Sequence, residues 1–188
     1  PMPMPAPGAA PTPAPTTAPT PSSDASGSMP APMGDMKTAE ATVATADGTD
    51  VGTISFTQTG HGVVVAVAMK GLPAGKHGLH IHQTGACTPD FMAAGGHFNP
   101  AAKEHGFHTE GGYHAGDLPN LDVAADGTAM ADFFVPYVTV HGPASEMLPY
   151  TLHDEDGASI MIHAATDDYK TMASSGGRQA CGVIVPKG

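Results

Sequence analysis

Three early runs alternate apolar and small polar positions with a period of two: TAEATVATA (38–46), VGTISFTQT (51–59) and GVVVAVAMKG (62–71). ADGTD and GHG separate them, both of them turn-type sequences. Alternation in β-branched runs bounded by Gly and Asp predicts half-buried strands. LPAGKHG reads as the next turn and HGLHIHQ as a fourth strand. TAMADFFV (128–135), SIMIHA (159–164) and CGVIVP (181–186) supply more strands, with a weaker one at YVTVH (137–141). No long stretch keeps helical periodicity. The expected fold is all-β, an antiparallel Greek-key sandwich or barrel of immunoglobulin-like kind.

Two stretches, 84–127 and 164–180, break this rhythm and are expected to be long loops. Glycine-rich loops of such length in a compact domain are functional or disordered. The first carries His97, His105, His108, His114 and Asp117, and the second leads to Arg178. Disorder is the poorer reading for loops so rich in ligand-type side chains.

Composition changes the picture at the N-terminus. Residues 1–37 hold eleven of the nineteen prolines and no Leu, Ile, Val, Phe, Tyr or Trp. Such a segment buries too little apolar surface to offset its ordering entropy, so it is expected to be a disordered tether before a domain at 38–188. Its five methionines are soft ligands for reduced copper, although a plain linker is the simpler expectation. No run of eighteen apolar residues occurs. The chain opens on Pro with no basic-then-apolar leader, which suggests a removed targeting segment or a trimmed start. A periplasmic or extracellular protein, held to a membrane or wall by that segment, is the expected setting.

Net charge is −11 with seven basic residues, which argues against nucleic-acid partners. An anionic substrate would have to be attracted locally against that field. Arg178 is the only arginine. Cys87 and Cys181 lie too far apart for a CxxC pair, and in an exported protein their default is one disulfide, two buried thiols being the alternative.

The histidines carry the chemistry. His80 and His82, two apart in a strand, point to the same face, with Leu79 and Ile81 turned the other way. His97, His105 and His114 are spaced by eight and nine residues, and Asp117 follows by three. Three imidazoles and a carboxylate form a closed four-ligand shell suited to zinc, against the alternative of a solvated polar loop. His163, ending SIMIH, is alone more often a core histidine; beside the pair at 80 and 82 it becomes a candidate ligand.

GLHIHQTGAC, AGGHFNP, HGFHTEGGYHAGDLPN, IMIHAATDD and GGRQACGVI together resemble, in the same order, the motifs of the copper/zinc superoxide dismutases in their bacterial branch. The fifteen residues from His82 to His97, the later gaps of eight, nine and three, and the three from Arg178 to Cys181 agree with that family's spacing. The resemblance covers roughly residues 38–188. It implies copper held by His80, His82, His97 and His163, and zinc held by His97, His105, His114 and Asp117, with His97 shared. It implies that Asp167, rather than Asp168, accepts from the outer nitrogens of His80 and His105. It further implies that Cys87 and Cys181 tie the long loop to the last strand, and that Arg178 docks superoxide. The activity implied is conversion of superoxide to dioxygen and hydrogen peroxide. The alternative is a protein of the same fold that stores copper and zinc without turnover. Both a monomer and a homodimer remain open.

Some positions depart from the pattern. His108 is expected to be a spare surface histidine, and His61, His77, His141 and His153 to be exposed. Residues 134–157 resemble the family poorly, and Pro136 argues against a central strand there. Only Lys103 and Lys170 are candidates for guiding an anion.

Overall fold

The computed structural model describes residues 36–187; the expected tether lies, through residue 35, outside them. Eleven strands occur among the described residues: β1 (Thr38–Thr45), β2 (Asp50–Gln58), β3 (Gly62–Met69), β4 (Gly75–His82), β5 (Asp117–Val123), β6 (Ala129–Pro136), β7 (Val138–His141), β8 (Tyr150–His153), β9 (Ser159–His163), β10 (Arg178–Val183) and β11 (Val185–Lys187). One 3-10 turn covers Phe91–Ala94.

The main sheet runs β5-β4-β9-β10-β1-β2-β3-β6 and every pairing in it is antiparallel, with β11 added beside β1. It curls into a nearly closed barrel, leaving β5 and β6 as its ends. Both end strands carry a proline, Pro119 and Pro136, which lacks the N–H a central strand must donate. Pro136 therefore ends an edge strand opposite Gly62.

The period-two pattern explains the core. Ala39, Ala41 and Val43 of β1, Ile54 and Phe56 of β2, and Val63, Val65 and Val67 of β3 all point inward. β4 and β9 instead are buried on both faces. Leu79, Ile81, Ile160 and Ile162 enter the core. The alternate positions, His80, His82, Met161 and His163, face outward under the loops. Ala94, Met161 and Cys181, with Cys87 and Phe91 against them, form a second small apolar cluster there.

Three sequence expectations need correction. The stretch 84–127 is not all loop: 117–123 is β5, whose DLPNLDV lacks a clean alternation because Pro119 and Asn120 interrupt it. Residues 150–153 form β8, which pairs parallel with β7 in a separate two-stranded sheet, where only antiparallel pairs were expected. His77 is buried, not exposed: it lies on β4 with its Nδ1 2.8 Å from the His163 carbonyl and its Nε2 2.9 Å from that of Pro73. His61 and His153 are exposed as expected, and His141 is half-buried.

Candidate metal centre

β4 presents His80 and His82 on its outer face, and the neighbouring β9 presents His163. Gly78, on the same face, must be small. A Cβ there would come within 2.6 Å of the Ser175 Cβ in the second loop.

The long loop is pinned to β4 by backbone. Gln83 N–H donates to Gly96 O at 2.9 Å, and Phe98 N–H to Ile81 O at 2.8 Å, with a one-residue antiparallel bridge between His82 and His97. The chain returns at Gly116, whose carbonyl accepts from Ile81 N–H at 2.8 Å. These contacts set His97 beside the β4 prongs and deliver His105, His114 and Asp117 to its far side. The Cys87–Cys181 disulfide, expected from sequence, staples the loop's start to β10.

The rings converge. His97 lies 4.1 Å from His80 between ring centroids, 4.9 Å from His82, 5.1 Å from His105 and 5.2 Å from His114. His80 and His163 are 4.7 Å apart. Around Asp117 Oδ1 the Nδ1 atoms of His97, His105 and His114 stand at 2.9, 3.3 and 3.3 Å. His97 Nδ1 and His114 Nδ1 are only 3.2 Å apart. Ligand atoms of His80, His82, His97 and His163 fall within 4.8 Å of one another, as do those of His80, His97, His105 and Asp117.

Unpartnered nitrogens test whether this cluster suits a metal. Among the described residues, seven buried side-chain polar atoms make no hydrogen bond, and four are ring nitrogens here: His80 Nδ1, His82 Nε2, His105 Nδ1 and His163 Nε2. Buried polar groups left without partners are costly. Several imidazoles with inward lone pairs and one carboxylate are the donor set of copper and zinc. The residues fit.

The outer nitrogens are held by protein. His82 Nδ1 donates to Gly95 O at 3.0 Å. His80 Nε2 and His105 Nε2 lie 2.6 and 3.1 Å from the two oxygens of Asp167. Such outer contacts fix each ring's tautomer and aim. Asp168 is exposed, and its carboxylate instead accepts from the Lys170 and Thr171 N–H groups.

Burial keeps three of the rings, His82, His97 and His163, neutral. Burial pushes His82 down to about 2, with the Gly95 carbonyl opposing and the charges of His97 and Arg178 assisting. Burial likewise lowers His97 to about 4 and His163 to about 3. For Asp117, burial works against ionisation but is outweighed by the hydrogen bonds of His114, His97 and the Gly106 N–H, so its carboxyl sits well below the usual range. Asp167 is lowered in the same way, burial being outweighed by His80, the Tyr169 N–H and His105. Neutral imidazoles and ionised carboxylates are the forms that ligate.

Arg178, at the start of β10, is half-buried. Its guanidinium donates to Phe91 O and, at 2.6 Å, to Gly95 O, the carbonyl that also accepts from His82. It lines an open cleft of about 510 Å³ with Asp90, Phe91 and Met92, which none of the histidines lines. Lys103, Lys170 and His108 are exposed. Sequence reasoning missed His77, Asn120 and Tyr169, which brace the site from behind; an isolated His, Asn or Tyr carries no spacing signal.

The model of the copper/zinc superoxide dismutase family matches residues 51–184, and the chain belongs to that family. It is 43% identical over 150 residues to a Caulobacter vibrioides protein named superoxide dismutase [Cu-Zn], covering 78% of this chain and 84% of that one. Among solved structures, a SOD-like protein from Bacillus subtilis superposes with a TM-score of 0.71 at 37% identity, covering 78% of this chain and 97% of that one. The Cu/Zn superoxide dismutase of Brucella abortus gives 0.62 at 29% identity, covering 78% and 99%.

Proposed function

We propose that this protein dismutes superoxide, two anions and two protons giving dioxygen and hydrogen peroxide. In this reading His80, His82, His97 and His163 hold copper, and His97, His105, His114 and Asp117 hold zinc. The observation that carries it is the position of His97 between two groups of inward-facing donors. His80 belongs to both groups by distance, yet its Nε2 is engaged by Asp167, which leaves it one nitrogen for one ion. His97 has Nδ1 in the Asp117 group and its other nitrogen for the β4 side.

Bound copper supplies a one-electron couple, and zinc, which has no redox chemistry, supplies a fixed positive charge. The chain's residues do the rest. Arg178 binds the anion: its guanidinium is fixed by two carbonyls and stands one carbonyl away from His82. In a chain of net charge −11 that local cation is what draws superoxide inward. His97 would carry one of the two protons of the reaction at Nε2, with Nδ1 anchored beside Asp117. Asp167 holds His80 and His105 in fixed orientation throughout.

Copper and zinc per chain, measured with superoxide consumption before and after copper addition, test the proposal. Copper-dependent consumption with both metals bound is expected. Both metals bound without consumption would leave a storage protein.

We also infer that the protein works in the periplasm or outside the cell. A disulfide in so small a domain supports an oxidising compartment. Recovery in a cytosolic fraction with reduced thiols would overturn this.

A further inference from the structure

The outer carboxylate is itself held by an assembly around Tyr169. Asp167 N–H donates to Asn120 Oδ1 at 2.8 Å, and Asn120 Nδ2 donates back to Asp167 O at 2.9 Å. One amide thus grips both sides of the Asp167 residue, as a strand partner would. That amide is in turn fixed by a phenol: Tyr169 Oη accepts from Asn120 Nδ2 at 2.8 Å and from the Asn120 backbone N–H at 2.9 Å. Tyr169 N–H donates to Asp167 Oδ1 at 2.8 Å, the oxygen that also faces His105.

Tyr169 adopts φ +61°, in the left-handed region that favours glycine. A tyrosine stays there only where surroundings over-determine it. Here they do. Its carbonyl accepts from His108 N–H at 2.9 Å, and its ring packs on Phe107 and His108 at 5.3 and 5.5 Å. The carbonyl lies where a Cβ on residue 106 would be, at 2.0 Å, so Gly106 must be glycine for the loops to meet. Gly106 follows His105 and donates its own N–H to Asp117 Oδ2 at 2.8 Å.

We propose that Tyr169 is a positioning residue for the metal centre: its phenol locks Asn120, and Asn120 sets the Asp167 carboxylate that couples His80 on the copper side to His105 on the zinc side. This rests on the reading of the site given above. The hydroxyl is the active part. A phenylalanine would keep the ring packing and leave two Asn120 donors without their acceptor. The amide could then turn, and the carboxylate with it.

The test uses the copper- and zinc-loaded protein, with Tyr169→Phe, Asn120→Ala, their double variant and Asp167→Asn compared with the parent. Zinc release to a chromophoric chelator is expected to quicken about tenfold in Tyr169→Phe and more in Asp167→Asn, since outer partners of metal ligands are worth about 10–100-fold in affinity. The visible and EPR spectra of copper should shift in Tyr169→Phe in the direction of Asp167→Asn. The double variant should release zinc no faster than Asn120→Ala, because the two residues act in series. Release within twofold of the parent in Tyr169→Phe, with fast release in Asp167→Asn, overturns the role of Tyr169 alone. Parental release in both variants overturns the carboxylate bridge and the proposal with it. Faster release in Tyr169→Phe with unchanged copper spectra and an equally weakened metal-free barrel makes Tyr169 a general fastener and also overturns it.

Discussion

The barrel wall of β1, β2 and β3 and the two loops over β4 and β9 are specified by different physics. In the wall alternate side chains such as Ala39, Ala41, Val43, Ile54, Phe56, Val63, Val65 and Val67 are apolar and buried, and neighbouring strands pair without a break from Gly52 to Thr57 on one side of β2 and from Gly52 to Gln58 on the other. Hydrophobic transfer at about 25 cal/mol per Å² suffices for such an element. The loops have few apolar anchors. They are held by a disulfide, a few backbone hydrogen bonds to β4, and imidazoles whose ring nitrogens point at one another. A cluster of that kind is incomplete as protein alone. Metal ions finish it, so metal binding there is also folding.

Metal removal is therefore expected to separate the two regions most widely. After chelation at neutral pH, hydrogen exchange of amides between His97 and Asp117 should accelerate by about 100-fold or more, while those of β1 to β3 change little. Equal acceleration in both would mean that the loops and the wall unfold as one unit. The reverse perturbation is Phe56→Ala, fully buried in the wall. It should cost about 3–5 kcal/mol in denaturant unfolding yet leave turnover per metal-loaded molecule unchanged.

This division also explains what was legible in the sequence. Alternation announced β1, β2, β3, β6 and β9, because a half-buried strand writes its burial directly into residue type. It failed at β5, where Pro119 and Asn120 serve an edge and a brace, and at β8, four residues long after a Gly/Pro-rich connection. The candidate ligands were legible for a different reason. Histidine is uncommon, and His80, His82, His97, His105 and His114 carry recognisable spacings. What supports those ligands was illegible. Gly95 acts through its carbonyl and Asn120 through its amide, roles that any residue or any surface amide could suggest equally well.

Within the loops, binding and docking can be parted. Arg178→Ala should lower the rate of superoxide consumption about tenfold or more and leave copper and zinc content intact. Unchanged kinetics would remove the guanidinium from anion docking. Protonation sharpens the same contrast in the metal-free protein. Burial holds His82, His97 and His163 at about 2, 4 and 3, below the ordinary 6.5 that these residues regain on unfolding. Below about pH 6.5 the unfolded chain therefore takes up protons that the folded one refuses. Stability present above that pH should be lost on acidification toward pH 4, by up to about 1.4 kcal/mol per unit for each such histidine. Denaturant unfolding at several pH values measures the slope, and a flat profile would show that without metal the loops stand open most of the time rather than opening transiently.

The smallest effects come from two histidines that spacing could not tell apart, His77 and His108. His77 is buried and bridges the carbonyls of Pro73 and His163, so it joins the turn before β4 to the end of β9. His108 is exposed and touches the second loop through the Asp168 carbonyl at 3.1 Å. Removing His77 takes away the ring N–H that one of these carbonyls accepts and the packing between them; His77→Ala should cost about 1–3 kcal/mol and loosen His163 without removing a ligand. His108→Ala replaces a solvated ring and should stay within about 0.5 kcal/mol of the parent, with zinc stoichiometry unchanged. Loss of a zinc equivalent in His108→Ala would instead make that ring part of the centre, and the four-donor shell around Asp117 would have to be redrawn.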